Sequence, residues 1–238
     1  LTSSGPQRRL MNIILTGFSG TGKTAIGYRI ASLLGWQFVD IDEVVAGKAK
    51  KSVARIFDED GESVFRDYES KTVAEQCQLS NLVIATGGGA IVNDQNRHWM
   101  RTSGFLVCLE ASSETINFRL RQALSEDQDD KSVRPLLGLK DGDAAPLIES
   151  MKRERQWAYS MSHWTVNTDH LSIEQGAQEI VRAWKRFGLI YSKSQDPQIA
   201  ASVITEQSSY PIIVGSEILQ QQLGDRMLAT GLDGRAYV

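Results

Sequence analysis

Short apolar segments alternate with longer amphipathic segments along most of the chain. The apolar segments are typical of buried parallel strands and lie at 12–16, 36–40, 82–86, 105–109 and 164–166. Between them, apolar residues recur at helical spacing, most clearly at Ile173, Ala177, Ile180, Val181 and Trp184. Strands that alternate with helices predict an α/β fold of three layers, in which helices cover both faces of a five-stranded parallel sheet.

The first apolar segment leads into a glycine-rich loop. Its residues fit the phosphate-binding pattern G-x-x-x-x-G-K-[ST] at every fixed position, as Gly17-Phe18-Ser19-Gly20-Thr21-Gly22-Lys23-Thr24. Glycines let successive backbone N–H groups point at phosphate oxygens, and the helix that follows presents its positive N-terminus to the same anion. A plain Gly/Ser/Thr turn is the alternative, but the strand before the loop and the helical pattern after it favour a P-loop.

The P-loop assigns roles to individual residues. We expect Lys23 to reach the β- and γ-phosphates of a nucleotide, and the Thr24 hydroxyl to ligate Mg²⁺. The predicted ATP-binding segment comprises Gly20, Thr21, Gly22, Lys23, Thr24 and Ala25.

Composition excludes several other classes of protein. The 238 residues carry a net charge of −3, which gives no reason to expect nucleic acid as a partner. Cys77 and Cys108 are far apart and belong to no Cys/His cluster, so neither a disulfide framework nor a zinc site is indicated. No apolar run has membrane-spanning length and no signal peptide precedes the first strand, which predicts a cytoplasmic protein with no membrane partner.

Two predicted strands end in residues suited to ligand binding. Asp40 and Asp42 close the second strand, and strand alternation predicts that both carboxylates project the same way. Gly87-Gly88-Gly89 follows the third strand and allows a close approach of backbone to ligand, although a mobile turn would explain it too. Ligands of open α/β sheets bind at the carboxyl ends of the strands, so we expect both segments at one site.

Charged side chains elsewhere complete the candidate set. Arg66 and Glu69 are three residues apart and share one face of a predicted helix. The polar stretch 125–131 precedes Arg134, an arrangement that suits a lid closing over a nucleotide. The alternative is a surface loop with one exposed arginine.

Residues from about Met11 to Phe187 resemble a shikimate kinase, a member of the nucleoside-monophosphate-kinase-like branch of P-loop NTPases. The resemblance extends beyond the P-loop to four further motifs in the order of that family: Asp40-Ile41-Asp42, Gly61-Glu62-Ser63-Val64-Phe65-Arg66-Asp67-Tyr68-Glu69, Thr86-Gly87-Gly88-Gly89-Ala90 and Arg134-Pro135-Leu136-Leu137. It implies ATP-dependent phosphorylation of the 3-hydroxyl of shikimate to shikimate 3-phosphate, a step of chorismate and aromatic amino acid biosynthesis, with Mg²⁺ as cofactor.

The resemblance also implies residue roles. Asp42 would hold shikimate hydroxyls and accept the proton, while Arg66 and Arg155 would grip the shikimate carboxylate. The triple glycine Gly87, Gly88 and Gly89 would line the same pocket. The nucleotide side would comprise Lys23 and Arg134 on the transferring phosphoryl group, Arg119 against adenine, and Thr24 with Asp40 at the metal.

Two segments depart from the family pattern. The stretch 125–131 is longer and more acidic than usual, which leaves the adenine contacts open. The usual R-x-P-L-Y is Arg155-Gln156-Trp157-Ala158-Tyr159 here, without the proline. Arg153 is therefore an alternative carboxylate partner, although the four-residue spacing to Tyr159 favours Arg155.

We expect four parts in the chain. Residues 1–10 are a leader or an artificial remnant, 11–187 the kinase-like domain, 188–208 a linker, and 209–238 a second domain. The last part resembles the truncated start of a 3-dehydroquinate synthase, which would make the natural chain bifunctional; an ordinary extension is the alternative. We expect the kinase domain to be monomeric and the fusion to oligomerise through its second domain.

Two other functions compete with this interpretation. A gluconate-type kinase would share the fold, but Arg66, Arg155 and the triple glycine suit a cyclic carboxylate better. A non-catalytic ATP-binding module would have no need of Lys23, Asp42 and Arg134 together.

Replacing Lys23 with Met tests the P-loop assignment. We expect turnover to fall by orders of magnitude while the fold is kept, because the transferring phosphoryl group loses a cation. Steady-state kinetics with circular dichroism would measure both, and near-normal turnover would refute the assignment.

Overall fold

The computed structural model describes residues 12–126, 144–191, 199–204 and 209–213. Five of its strands form one sheet in the order β2-β3-β1-β4-β5, and all four neighbouring pairs are parallel. The strands are β1 (Asn12–Thr16), β2 (Gln37–Asp40), β3 (Leu82–Ala85), β4 (Gly104–Glu110) and β5 (Trp164–Asn167). The predicted α/β fold with a five-stranded parallel sheet is confirmed.

Helices connect consecutive strands of this sheet. They are α1 (Lys23–Leu34), α2 (Ile41–Ala49), α3 (Val53–Arg55), α4 (Glu62–Cys77), α5 (Asp94–Ser103), α6 (Ser113–Glu126), α7 (Ala145–Tyr159) and α8 (Ile173–Tyr191), with a π-helical turn at Ile56–Asp60 and a 3₁₀ turn at Ala90–Val92. Several of these helices lie between β2 and β3, and Gly61 is the N-cap of α4.

The core lies on both sides of the central strand. Ile14 packs into a large cluster with residues of α2, α4, α5 and α7, among them Val45, Phe65 and Met100. Ile13 and Leu15 point to the other face because side chains alternate along a strand, and all three are fully buried. A strand covered on both faces reads as a continuous apolar run, which is why the sequence pattern located β1.

The chain divides into two compact units, Leu1–Trp184 and Lys185–Val238. In the second unit, β6 (Ile199–Ile204) and β7 (Ser209–Ile213) form an antiparallel pair. The predicted linker 188–208 therefore differs from the structure, because α8 continues to Tyr191 and β6 occupies part of it. β6 has an apolar, partly β-branched sequence, and its pairing with β7 satisfies backbone groups that a free linker would leave to water.

No helix within the described ranges is long and apolar enough to cross a membrane. The predicted leader, the core of the predicted lid and most of the predicted second domain lie outside those ranges.

His163 joins the start of β5 to β4. The ring Nδ1 of His163 accepts a hydrogen bond from the Leu106 backbone N–H at 3.0 Å, and the His163 backbone N–H donates to the Leu106 carbonyl at 2.8 Å. The imidazole ring also stacks on Phe105. Burial, together with the positive charge of Arg101, lowers the pKa of His163 to about 4. The folded protein therefore holds this histidine neutral.

This buried histidine predicts a loss of stability in mild acid. The pKa of His163 is 6.5 in the unfolded chain and about 4 in the folded chain, so between these values the unfolded chain is protonated there and the folded chain is not. Stability therefore falls as the pH drops through this window. We expect a loss of about 2 kcal/mol in the free energy of unfolding between pH 7.5 and pH 5 from this group. Denaturant titrations of the wild type and of His163→Asn would measure it.

The Asn variant keeps a side-chain oxygen as acceptor but cannot titrate, so it should show a smaller acid loss than the wild type. All other titrating groups are common to both proteins and cancel in the comparison. An equal loss in both would contradict the assignment.

Candidate active site

The P-loop connects β1 to α1 at the centre of the sheet. Gly17 adopts φ +129°, and a Cβ there would lie 2.2 Å from the Leu109 carbonyl oxygen of β4. Only glycine fits this position without moving a strand. The loop thus turns tightly against the end of β4 before α1 begins at Lys23.

Lys23 lies folded over its own loop. Its Nζ donates to the carbonyl oxygens of Gly17 and Phe18, both at 2.8 Å, and the residue is buried. The Thr21 hydroxyl donates to the same Phe18 carbonyl at 2.8 Å. The ammonium group therefore stands in the concave side of the loop, where phosphate oxygens would be cradled.

Arg119 of α6 and Thr168 donate hydrogen bonds to carbonyl oxygens of the P-loop. Arg119 donates to the Gly20 carbonyl at 3.3 Å and to the Thr168 carbonyl at 2.7 Å. The Thr168 hydroxyl donates to the Thr21 carbonyl at 3.1 Å. These bonds engage the carbonyl oxygens of Gly20 and Thr21 and connect the loop to α6 and to the residue that follows β5.

Asp40 links the P-loop to α2. Its Oδ2 accepts from the Thr24 hydroxyl at 3.1 Å, and its Oδ1 accepts from the Asp42 backbone N–H at 3.0 Å. Asp40 is thus the N-cap of α2 and the last residue of β2. The prediction that Asp42 lies in the second strand was wrong, because the capping bond ends β2 at Asp40 and Asp42 lies in the first turn of α2.

Asp42 nevertheless reaches the glycine segment after β3. A Cβ on Gly87 would lie 2.9 Å from Asp42 Oδ1 and 2.6 Å from Glu69 Oε1. Two carboxyl groups therefore share the space that a side chain at residue 87 would fill. A glycine is required here for room rather than for backbone conformation.

Arg66 is held between two glutamates of α4. It pairs with Glu69 at 2.8 Å and with Glu62 at 3.0 Å, and Glu69 is 1% exposed. Burial raises the pKa of Glu69 to about 7; Arg66 opposes this shift, and the negative charge of Asp42 adds to it. The guanidinium is thereby fixed beside a buried, readily protonated carboxyl group.

The glycine segment brings this pair next to the P-loop. A Cβ on Gly89 would lie 2.7 Å from Arg66 Nη2, and one on Gly88 would lie 3.2 Å from the Gly17 carbonyl oxygen. The Gly88 carbonyl accepts from the Tyr159 hydroxyl of α7 at 2.7 Å. Residues of the P-loop, α4 and α7 therefore meet around three consecutive glycines.

Arg155 completes the cleft from α7. Its guanidinium carbon lies 5.6 Å from the centroid of the Phe18 ring in the P-loop. Burial raises the pKa values of Glu69 and Tyr159, and the positive charge of Arg155 opposes both shifts. The alternative, Arg153, has a side chain that is 79% exposed and lies 4.0 Å from Glu149 on the surface. The structure therefore brings Lys23, Asp42, Arg66 and Arg155 into one cleft and leaves Arg153 outside it.

Comparison with known proteins identifies the family. The family model described as Shikimate kinase matches residues 19–185. The shikimate kinase of Caldanaerobacter subterraneus subsp. tengcongensis is 38% identical over 175 residues, which are 74% of this chain and 96% of that relative. The chain belongs to the shikimate kinase family. It is an ATP-dependent small-molecule kinase.

Solved structures agree with this membership. Shikimate kinase from Acinetobacter baumannii in complex with shikimate is 30% identical, with a TM-score of 0.66 over 79% of this chain and 97% of that one. A gluconokinase from Sinorhizobium meliloti covers 79% of this chain and all of its own, but at 15% identity and a TM-score of 0.51 it shows the fold alone.

Several residues of this shikimate kinase site were not predicted in their structural roles. Thr168 follows β5, and its place at the carboxyl end of a strand could have revealed it. Glu69 and Tyr159 belong to the motifs quoted above, but neither was given a role. Arg134, predicted on the lid, lies outside the described residues.

Proposed function

We propose that this chain transfers the γ-phosphoryl group of ATP to the 3-hydroxyl of shikimate, giving shikimate 3-phosphate for chorismate and aromatic amino acid biosynthesis. One observation carries the proposal. The P-loop with Lys23 and the cationic pocket with Arg66 and Arg155 meet at Gly88, so a nucleotide and a carboxylic acid can lie side by side. The relative from Acinetobacter baumannii holds shikimate.

The nucleotide side uses the P-loop. Lys23 now bonds to two loop carbonyls and would exchange them for oxygens of the β- and γ-phosphates. Backbone N–H groups of residues 20–25 would bind the same phosphates. Arg119 adjoins this segment through Gly20 and Thr168, which supports a place near the nucleoside. Arg134 is assigned to the transferring group from the family motif.

Thr24 and Asp40 would hold Mg²⁺. Their hydroxyl and carboxylate oxygens lie 3.1 Å apart beside the phosphate loop, and hard oxygen donors of this kind are those that Mg²⁺ prefers. When bound, the ion neutralises charge on the phosphates. The capping bond from Asp42 keeps Asp40 aimed at Thr24 before any ligand arrives.

The pocket that contains Arg66 and Arg155 would recognise shikimate through the carboxylate of the substrate. Arg66 and Arg155 can each make paired, charge-assisted hydrogen bonds to a planar carboxylate, and the Gly88 N–H can add another. Glu62 and Glu69 orient Arg66 from its other edges, so little freedom is lost when the substrate binds. Gly87 and Gly89 leave the space that these side chains need.

Asp42 would receive the proton. As the shikimate 3-hydroxyl oxygen bonds to the γ-phosphorus and the bond to ADP breaks, the hydroxyl proton passes to the Asp42 carboxylate. The first turn of α2 places this carboxylate beside Gly87 and Glu69. Lys23, with Arg134, would counter the negative charge of the phosphoryl group during transfer.

A single coupled assay tests the acceptor. ADP release would be compared with shikimate, gluconate and nucleoside monophosphates, and we expect stimulation by shikimate alone. Stimulation by gluconate would favour the gluconate-type kinase. Release that no acceptor stimulates would favour a non-catalytic ATP-binding module.

We propose the remaining features from the sequence. ATP as phosphoryl donor fits a cytoplasmic location, and the kinase domain is proposed to act as a monomer. Residues 209–238 are proposed to begin a 3-dehydroquinate synthase-like domain through which the natural chain oligomerises. An assay of that chain that found no dehydroquinate formation would contradict this proposal. The described part of this segment, β7, pairs with β6.

Substitution of Gly89 tests the carboxylate pocket. A Cβ there must displace the Arg66 guanidinium, which lies at the end of a flexible side chain, so the fold should survive while Arg66 shifts. We expect Gly89→Ala to raise the KM for shikimate about tenfold, as the loss of one charge-assisted hydrogen bond would. The KM for ATP should stay within about twofold of the wild type, since Arg66 is proposed to bind the shikimate carboxylate and not the nucleotide.

Gly47→Ala is the matched control. Gly47 lies in α2 with no atom within 4 Å of an added Cβ, so neither KM should change. An equal rise of both KM values in Gly89→Ala would count against the proposed role of Arg66.

A further inference from the structure

Arg97 of α5 binds the segment that follows the triple glycine. Its Nη1 donates to the carbonyl oxygens of Ile91 at 2.8 Å and Val92 at 3.3 Å, and its Nη2 pairs with Asp94. The side chain is 11% exposed, so the guanidinium is largely enclosed. Arg97 thereby fixes the 3₁₀ turn that begins directly after Gly89.

The same guanidinium lies over an aromatic ring of α7. Its central carbon is 4.8 Å from the centroid of Trp157, a distance at which a cation is attracted to the ring face. Trp157 is 47% exposed and therefore contributes little to the core. It occupies the position at which the family pattern R-x-P-L-Y has proline, and α7 continues unbroken through it.

These contacts fix the rotation of the last turn of α7. Arg155 and Tyr159 are four residues apart and share one face of the helix, whereas Trp157 lies about 200° around the axis from Arg155. Tyr159 anchors the first face through the Gly88 carbonyl at 2.7 Å. Trp157 anchors another face through Arg97, so the segment 88–97 holds this turn at two separated points.

We propose that Trp157 and Arg97 form a positioning pair that aims Arg155 at the carboxylate of the acceptor substrate. The inference rests on the proposed function of the cleft. Neither residue touches the substrate in this scheme. Their contact sets the direction of Arg155, which projects from the same helical turn towards Phe18 of the P-loop.

Steady-state kinetics of Trp157→Ala test the pair. We expect the KM for shikimate to rise about fivefold, as loss of a cation–π contact would allow. The KM for ATP and the kcat should remain within about twofold, because Lys23 and the P-loop keep their own contacts. Trp157→Phe keeps a ring face and should restore most of the wild-type KM, and Arg97→Met should resemble Trp157→Ala.

Two further comparisons separate aiming from general packing. In an Arg155→Ala background, Trp157→Ala should cause no further rise in the KM for shikimate, because Trp157 acts through Arg155. Leu79→Ala is the control: Leu79 is 53% exposed, and its carbonyl accepts from Asn12 at the amino end of β1, away from the cleft. It should leave both KM values unchanged.

The possible failures are distinguishable. A wild-type protein that does not phosphorylate shikimate would overturn the proposed function itself. With that activity present, an unchanged KM in Trp157→Ala, an equal change for both substrates, or an undiminished effect in the Arg155→Ala background would overturn the positioning pair. If Trp157→Ala does not fold, Trp157→Leu and Arg97→Met, with their melting temperatures, carry the same test.

Discussion

The cleft depends on the close approach of two glycine segments at the ends of neighbouring strands. β1 and β3 pair in parallel from Ile13 to Leu15, and the Thr86 N–H extends the ladder by donating to the Leu15 carbonyl at 3.0 Å. Beyond this point each strand gives way to glycines, and Gly88 lies so close to Gly17 that an added Cβ would be 3.2 Å from the Gly17 carbonyl oxygen. The P-loop and the proposed carboxylate pocket are adjacent because these two backbone segments lie close together.

Ion pairs and helix contacts orient the two arginines that lie beside the glycine segments. Glu69 is buried at an energetic cost, which Arg66 offsets, and Glu62 holds the same guanidinium from another side. Arg66 therefore has a fixed direction before any substrate arrives. Arg155 gains its direction differently, from a helix whose last turn is tied to the glycine segment through Tyr159 and Trp157. The proposed carboxylate grip thus combines arginines held by two separate helices.

The elements of the fold were largely predictable, because a buried parallel strand leaves a continuous apolar run such as Ile13 to Leu15. The local outcome at Asp40 was not, since an aspartate can continue a strand or cap a helix, and the capping bond to Asp42 decides between them. β6 was missed for a related reason. A short apolar stretch acquires its strand conformation from its partner, and β6 follows a stretch of linker-like composition that gave no sign of a strand.

The sequence by itself determined the chemistry of this protein: a phosphate loop, the acidic and basic residues around it, and the order of motifs that marks its family. Those features are local, because loop conformation and helix capping depend on neighbouring residues. Tertiary structure alone decided which groups meet. Strand order places β3 beside β1, and the packing of α7 places Arg155 near Phe18 of the P-loop and Arg153 on the surface. The spacing to Tyr159 favoured Arg155, but what each arginine contacts depends on packing between segments far apart in the chain.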